Sequence, residues 1–136
     1  MIAKHMENPI QIMKSAADNI RVLSVAMVEK AKSGHPGGAM GGADFINVLY
    51  SEFLVFDPNE PTWECRDRFF LDPGHMSPML YSELALIGRF SLSELQQFRQ
   101  WGSPTPGHPE VNFARGIENT SGPLGQGHTY AVGAAI

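Results

Sequence analysis

Cysteine is nearly absent: Cys65 is the only one in 136 residues. That excludes a disulfide framework within the chain and a zinc site built on cysteines. A lone thiol suits a reducing compartment, so the cytoplasm is the expected location. Basic charge is also in short supply. Ten Lys and Arg against 14 Asp and Glu leave a net charge of −4, the wrong sign for a protein that tracks nucleic-acid phosphates. No apolar run approaches the roughly 18 residues that would suggest a membrane span. The opening segment, with Lys4, His5 and Glu7 and no apolar stretch behind them, does not read as a secretory signal.

Glycine (14) and proline (10) are plentiful, which predicts tight turns and close backbone approaches. Hydrophobic residues at 43% and charged residues at 18% describe a globular chain of one domain's length. The chain ends on Tyr130-Ala131-Val132-Gly133-Ala134-Ala135-Ile136, an apolar run without a helix stop. A buried C-terminal helix is one reading. A chain cut short is the one adopted as the expectation.

Periodicity places the elements. Met13, Ala16, Ile20, Leu23 and Met27 recur at spacings of three and four, so a helix is predicted from about Asn8 to Lys32, stopped by Gly34. Residues 33–42 read as a glycine-rich turn. Ala43–Phe56 reads as a second helix, apolar on most faces and hence largely buried. Arg68-Phe69-Phe70-Leu71 is the one convincing strand, of the buried parallel type. A tight turn at Asp72–His75 leads into a helix over Ser77–Ile87. Ser91-Leu92-Ser93-Glu94 is a capping box opening a short helix. Trp101–Pro109 is an irregular loop. Gly122–Gly127 is a second glycine-rich turn, feeding a helix from about His128. One strand cannot make a sheet, so the pattern predicts the opening of a larger α/β domain.

Three histidines share a setting: His35, His75 and His108 each directly follow a glycine in a predicted turn. Turns at the edge of an α/β sheet are where ligand-contacting side chains gather, and an imidazole there can move a proton near neutral pH. One such histidine would read as a turn residue bonded to backbone; three point to a shared polar pocket. Their separations of 40 and 33 residues offer no local metal-binding spacing. The glycine turns match neither a P-loop nor a dinucleotide fingerprint, since Tyr130 stands where the third glycine would be. Gly122, Gly125 and Gly127 allow a flat ligand to lie against the main chain, or else serve an unusual turn before a helix. Arg66, Asp67 and Arg68 read as a charge cluster on a solvated face or partnering a helix. Trp63, Trp101 and Phe98 read as core or interface residues, and Leu95, Phe98 and Arg99 as a helix face.

Taken in order, Ala-Lys-Ser-Gly-His-Pro-Gly (31–37), Arg-Asp-Arg-Phe (66–69), Pro-Gly-His (73–75), the run from Phe98 to Glu110 containing Thr-Pro-Gly-His-Pro-Glu, and Gly-Pro-Leu-Gly-Gln-Gly (122–127) closely resemble the N-terminal part of transketolases. The resemblance runs from about residue 11 to 136. It implies a partial N-terminal, diphosphate-binding domain over residues 1–136, within an α/β thiamine diphosphate-binding fold. It also implies thiamine diphosphate and a divalent cation such as Mg2+ as cofactors, sugar phosphates as substrates, and a homodimer. The family moves a two-carbon ketol unit from a ketose phosphate to an aldose phosphate. By similarity, His35 and His108 would be catalytic and touch substrate, and His75 would lie by the cofactor diphosphate. Gly122, Pro123 and Leu124 would meet its aminopyrimidine ring.

The family's metal-binding Gly-Asp-Gly and later asparagine do not occur here, so no metal ligand is assigned and the chain alone is expected to be inactive and to fold poorly. Thr105–Glu110 and Pro123 favour a full-length enzyme over a split, two-chain relative. A dihydroxyacetone synthase-like enzyme and a truncated, non-catalytic binding module are the remaining alternatives. Two positions depart from the family pattern. Asp72 stands in the turn before His75, where a serine is more usual nearby, and His128 follows Gly-Gln-Gly in place of an aliphatic residue.

Overall fold

The computed structural model describes residues 8–136. Among them the regular elements are helical: α1 (Pro9–Ala31), α2 (Pro36–Gly41), α3 (Ala43–Val48), α4 (Ser77–Leu86), α5 (Leu92–Leu95) and α6 (Gln126–Ala134). A π-helical turn over Leu49–Phe53 prolongs α3, and 3-10 turns occupy Gly74–Met76 and Phe113–Arg115.

Local chemistry explains the ends of α1. Asn8 caps it, with its Oδ1 accepting from the Ile10 N–H at 3.1 Å, and Pro9 fills the first helical position, where no amide partner is lost. At the other end the left-handed residue is Lys32 (φ 50°), two positions before the expected Gly34. Its N–H and that of Ser33 close back onto the Glu29 and Val28 carbonyls. The buried face of α1 is Ala17, Ile20, Ser24 and Met27, rotated slightly from the predicted stripe but sharing Ile20 and Met27.

The centre of the molecule is α4, whose first eight residues, Ser77–Leu84, are all buried. Helices α1, α2 and α3 pack on it. Around it, Ile20, Met27, Ile46, Leu80, Tyr81 and Phe98 form one core. Burying each of the larger apolar side chains stabilises the fold by about 1.5–3 kcal/mol.

Four sequence expectations are corrected. The segment 33–42 is not simply a turn: residues 36–41 form α2. A Cβ at Gly38 would come within 3.0 Å of Met76 Cγ, and one at Gly42 within 2.5 Å of Met79 Sδ. These glycines let the backbone sit against the start of α4. The helix over 43–56 is not largely buried. Only Ala43, Ile46, Asn47 and Tyr50 are, while Phe45 and Phe53 are 64% and 69% exposed, so the apolar residues divide between a core face and an outer face.

The parallel strand at Arg68–Leu71 does not form. No sheet exists among the described residues, only an isolated bridge between Asn112 and Ile117. Instead, the Leu71 N–H donates to Asn119 Oδ1 at 3.1 Å and Asn119 Nδ2 donates to the Leu71 carbonyl at 3.3 Å. One side chain thus takes both backbone groups that a neighbouring strand would bond. The described residues are a helix-rich unit, and the α/β expectation narrows to that.

The fourth correction concerns Arg66. It is not solvated: its guanidinium grips Glu118 through two bonds of 2.8 and 3.1 Å, with both side chains almost fully buried. Arg68 reaches the same carboxylate at 3.2 Å. Of the aromatic residues expected in the core or an interface, Phe98 is buried and Trp101 is fully exposed. Together with Asn119, the Arg66–Glu118 pair ties residues 118–119 to 66–71 and so fixes the turns on either side.

Candidate functional site

The site begins with how His35 is aimed. Gly34 has φ +138°, and a Cβ there would lie 2.9 Å from Val28 Cγ2 and 3.3 Å from Phe98 Cε1. Glycine is required on both counts. It turns the chain off α1 so that His35 precedes α2 with extended backbone, its ring free of any capping bond. His75 sits in the 3-10 turn at the head of α4. The two rings meet, with centroids 4.7 Å apart and planes tilted by 45°.

His108 is carried by a loop without regular structure, yet that loop is pinned. Ser77 Oγ donates to the Gly107 carbonyl at 2.7 Å, and the Tyr81 hydroxyl donates to the Pro106 carbonyl at 2.9 Å. The Ser121 N–H donates to the Pro109 carbonyl at 3.0 Å. The Arg99 guanidinium lies so close to Gly107 that a Cβ would approach Arg99 Nε to 2.7 Å. His108 therefore titrates below the usual histidine value. Desolvation in this loop is the largest cause, followed by the Arg99 charge and then those of His75 and His35. The charges of His75 and His35 thus reach His108, while the rings of His35 and His75 are in direct contact. At His108 an open depression of about 890 Å³ is lined by Ser33, Arg99, Trp101, Gly107, His108 and Glu110, among others.

The second glycine turn closes the arrangement. A Cβ on Gly74 would lie 2.8 Å from Ser121 Oγ, and one on Gly127 would lie 2.6 Å from the Leu71 carbonyl oxygen. Residues 121–127 are therefore packed backbone to backbone against 71–75, next to His75. Gly122 differs: a Cβ there would meet nothing within 4 Å. Pro123 is exposed, and so is Leu124, at 72%. The turn thus offers an open main-chain surface.

A family profile described as "Transketolase, thiamine diphosphate binding domain" matches residues 12–136. The chain belongs to the transketolase family. It is 54% identical over 124 residues to transketolase 2 of Escherichia coli, covering 90% of this chain and 19% of that protein. A match to the transketolase of Halalkalibacterium halodurans is 51% identical over 136 residues, 99% of this chain and 20% of that one. The chain therefore spans about a fifth of the length of the curated transketolases it matches.

Solved transketolases share the fold. That of Leishmania mexicana superposes with a TM-score of 0.86 at 43% identity, over 90% of this chain and 18% of the other. A variant of the Pichia stipitis transketolase in complex with fructose-6-phosphate gives 0.83 at 40% identity, over 91% and 18%.

The donor set fits thiamine diphosphate in this transketolase domain. The open backbone at Gly122 suits a flat ring, and His75 at the head of α4 supplies a donor beside it. Among the described residues, no group of three or more His, Cys, Asp or Glu gathers to hold a metal ion. No described helix is long and apolar enough to cross a membrane. Sequence reading missed Ser77, Tyr81 and Arg99. The sequence places Arg99 on a helix face, but α5 ends at Leu95, and Arg99, with φ 63°, lies beyond it with its guanidinium against Gly107. The one available signal was Gly107, whose missing side chain makes room for it.

Proposed function

We propose that this chain supplies the diphosphate-binding side of a transketolase active site, in an enzyme that moves a two-carbon ketol unit from a ketose phosphate to an aldose phosphate. The observation that carries the reading is how the single segment 71–77 gathers the three others: His75 meets the His35 ring, Ser77 holds the carbonyl of Gly107 next to His108, and Gly74 and Asp72 meet Ser121 and Gly125 on either side of residues 122–124. The complex of a Pichia stipitis relative with fructose-6-phosphate supports a sugar phosphate as the substrate class.

When bound, thiamine diphosphate supplies the electron sink that a ketol carbanion needs. The residues do the rest. His75 would hold the diphosphate by donating to it. The main chain of Gly122, Pro123 and Leu124 would hold the aminopyrimidine ring. His35 and His108 would touch the substrate hydroxyls and carry protons. The lowered value of His108 keeps its imidazole neutral near pH 7, so one nitrogen can donate while the other accepts. Mg2+ or another divalent cation would accompany the diphosphate, and none of the described residues is assigned to it. A second copy of the polypeptide completes the site as a homodimer, and by itself this segment turns over no substrate. An exposed lone Cys65 suits the reducing cytoplasm.

The test is to express the intact polypeptide that carries these residues, and to follow carbon transfer from a ketose phosphate to an aldose phosphate with thiamine diphosphate and Mg2+ present. Turnover is expected, with His108→Ala and His35→Ala each lowering kcat by about 10²–10⁴-fold. No turnover, or turnover indifferent to both substitutions, overturns the reading. Preference for formaldehyde as acceptor would instead favour the dihydroxyacetone synthase-like activity.

A further inference from the structure

Asp72 and His128 lie 56 residues apart in sequence and meet in the fold. Asp72 Oδ2 is 3.2 Å from His128 Nδ1, and Asp72 Oδ1 accepts from the Gly125 N–H at 3.2 Å. The Asp72 side chain is 14% exposed and the His128 ring 71% exposed, so the carboxylate is the sheltered partner. Gly125 has φ 85°, and a Cβ on Gly127 would stand 2.5 Å from Asp72 Cβ. Asp72 therefore touches Gly125 in the glycine turn and Gly127 and His128 in the first turn of α6, while standing only three residues before His75.

From this geometry we propose that Asp72 is a positioning residue. Its carboxylate clamps the Gly122–Gly127 turn to the His75 turn and so sets the gap between His75 and the open backbone at Gly122. The proposal rests on the reading of these two turns as the thiamine diphosphate site. A charged acceptor shared by a backbone donor of the turn, Gly125, and a side chain of the helix that follows, His128, holds that turn more firmly than a neutral hydroxyl would. Gly125 caps the start of α6, where an N–H has no partner within the helix, and Asp72 is the group that satisfies it.

The experiment uses the intact polypeptide carrying these residues, with Asp72→Ala, Asp72→Asn, His128→Leu and the Asp72→Ala/His128→Leu double variant. One readout needs no cofactor: hydrogen exchange at Gly125–Gly127, compared with the α4 amides. The other is the Kd for thiamine diphosphate, alongside kcat at saturating cofactor. Asp72→Ala is expected to speed exchange in the turn but not in α4, and to raise Kd roughly tenfold with kcat retained. Asp72→Asn, which keeps an acceptor for Gly125, is expected to recover most of that loss. The double variant is expected to be no weaker than Asp72→Ala alone, because the two side chains act as one unit.

Exchange and Kd that are unchanged in Asp72→Ala, or exchange that rises equally in α4, overturn the proposal. An unaltered polypeptide that binds no thiamine diphosphate overturns the functional reading and this role with it. Binding that is indifferent to the substitutions overturns the role of Asp72 alone.

Discussion

Asn119 is a sensitive test of how the turns are held. It is 6% exposed and faces Leu71, which is 2% exposed, and it satisfies both Leu71 backbone groups. Asn119→Ala removes both partners at once. A buried backbone group left unpaired costs about 1–3 kcal/mol, and the 3.3 Å bond to the carbonyl belongs at the lower end. Summed, the local cost is about 2–4 kcal/mol. At 1.4 kcal/mol per tenfold, that is roughly 30- to 700-fold more frequent opening of the segment.

Hydrogen exchange read by mass spectrometry on the intact polypeptide reports this directly, in peptides spanning residues 68–73. Asn119→Asp is the control for shape. It retains an acceptor for the Leu71 N–H but sets a carboxylate oxygen against the Leu71 carbonyl, and so is expected to open the segment as well. Exchange in 68–73 that stays within about threefold of the unaltered protein would refute the claim that one side chain does a strand's bonding here.

Other expectations follow from the titrating groups and the capping chemistry. Burial pushes the Glu83 carboxyl up to about 7, and its Oε2 has no hydrogen-bond partner. The folded state then holds this proton more tightly than the unfolded one, so stability falls as pH rises from about 4.5 to about 7 and stays reduced above that. Glu83→Gln is accordingly expected to stabilise the protein at pH 8, by about 3 kcal/mol at most, and to do little at pH 5; equal thermal unfolding shifts at both pH values would contradict it. Arg99→Gln is expected to raise the titration of His108, as followed by ring-proton NMR, because the second-largest cause of its depression is removed; a fall would count against the assigned geometry. Ser91→Ala deletes the capping hydroxyl that accepts from the Glu94 N–H, and is expected to cost about 1 kcal/mol, measured by denaturant unfolding.

Where the sequence could be read, local chemistry made it readable. Asn8-Pro9 and the stripe through Ile20 and Met27 mark α1, and Ser91 with Glu94 marks the start of α5. The glycine before each of His35, His75 and His108 signalled a shared setting, and the contact of His35 with His75 and the field acting on His108 agree with it. What stayed hidden depends on residues far apart in the chain. Nothing near Leu71 announces that Asn119 will take its backbone groups, nor near Arg66 that Glu118 will bury its charge. The glycines at 38 and 42 look like turn residues until Met76 and Met79 are placed against them. Phe45 and Phe53 read as core by residue type, because hydrophobicity alone does not tell which face of a helix has something to pack on.

The central claim is that the 122–124 turn beside His75 is a thiamine diphosphate surface, and Gly122 tests it most directly. Its φ is outside the left-handed region and an added Cβ meets nothing, so Gly122→Val is expected to leave the fold intact. The same side chain would stand where the ring must lie. Calorimetric titration of thiamine diphosphate with Mg2+ into the intact polypeptide and its Gly122→Val variant decides the matter. The account predicts binding by the unaltered protein and loss of binding in the variant, with unchanged thermal unfolding of the cofactor-free protein. Equal affinity in both would contradict it.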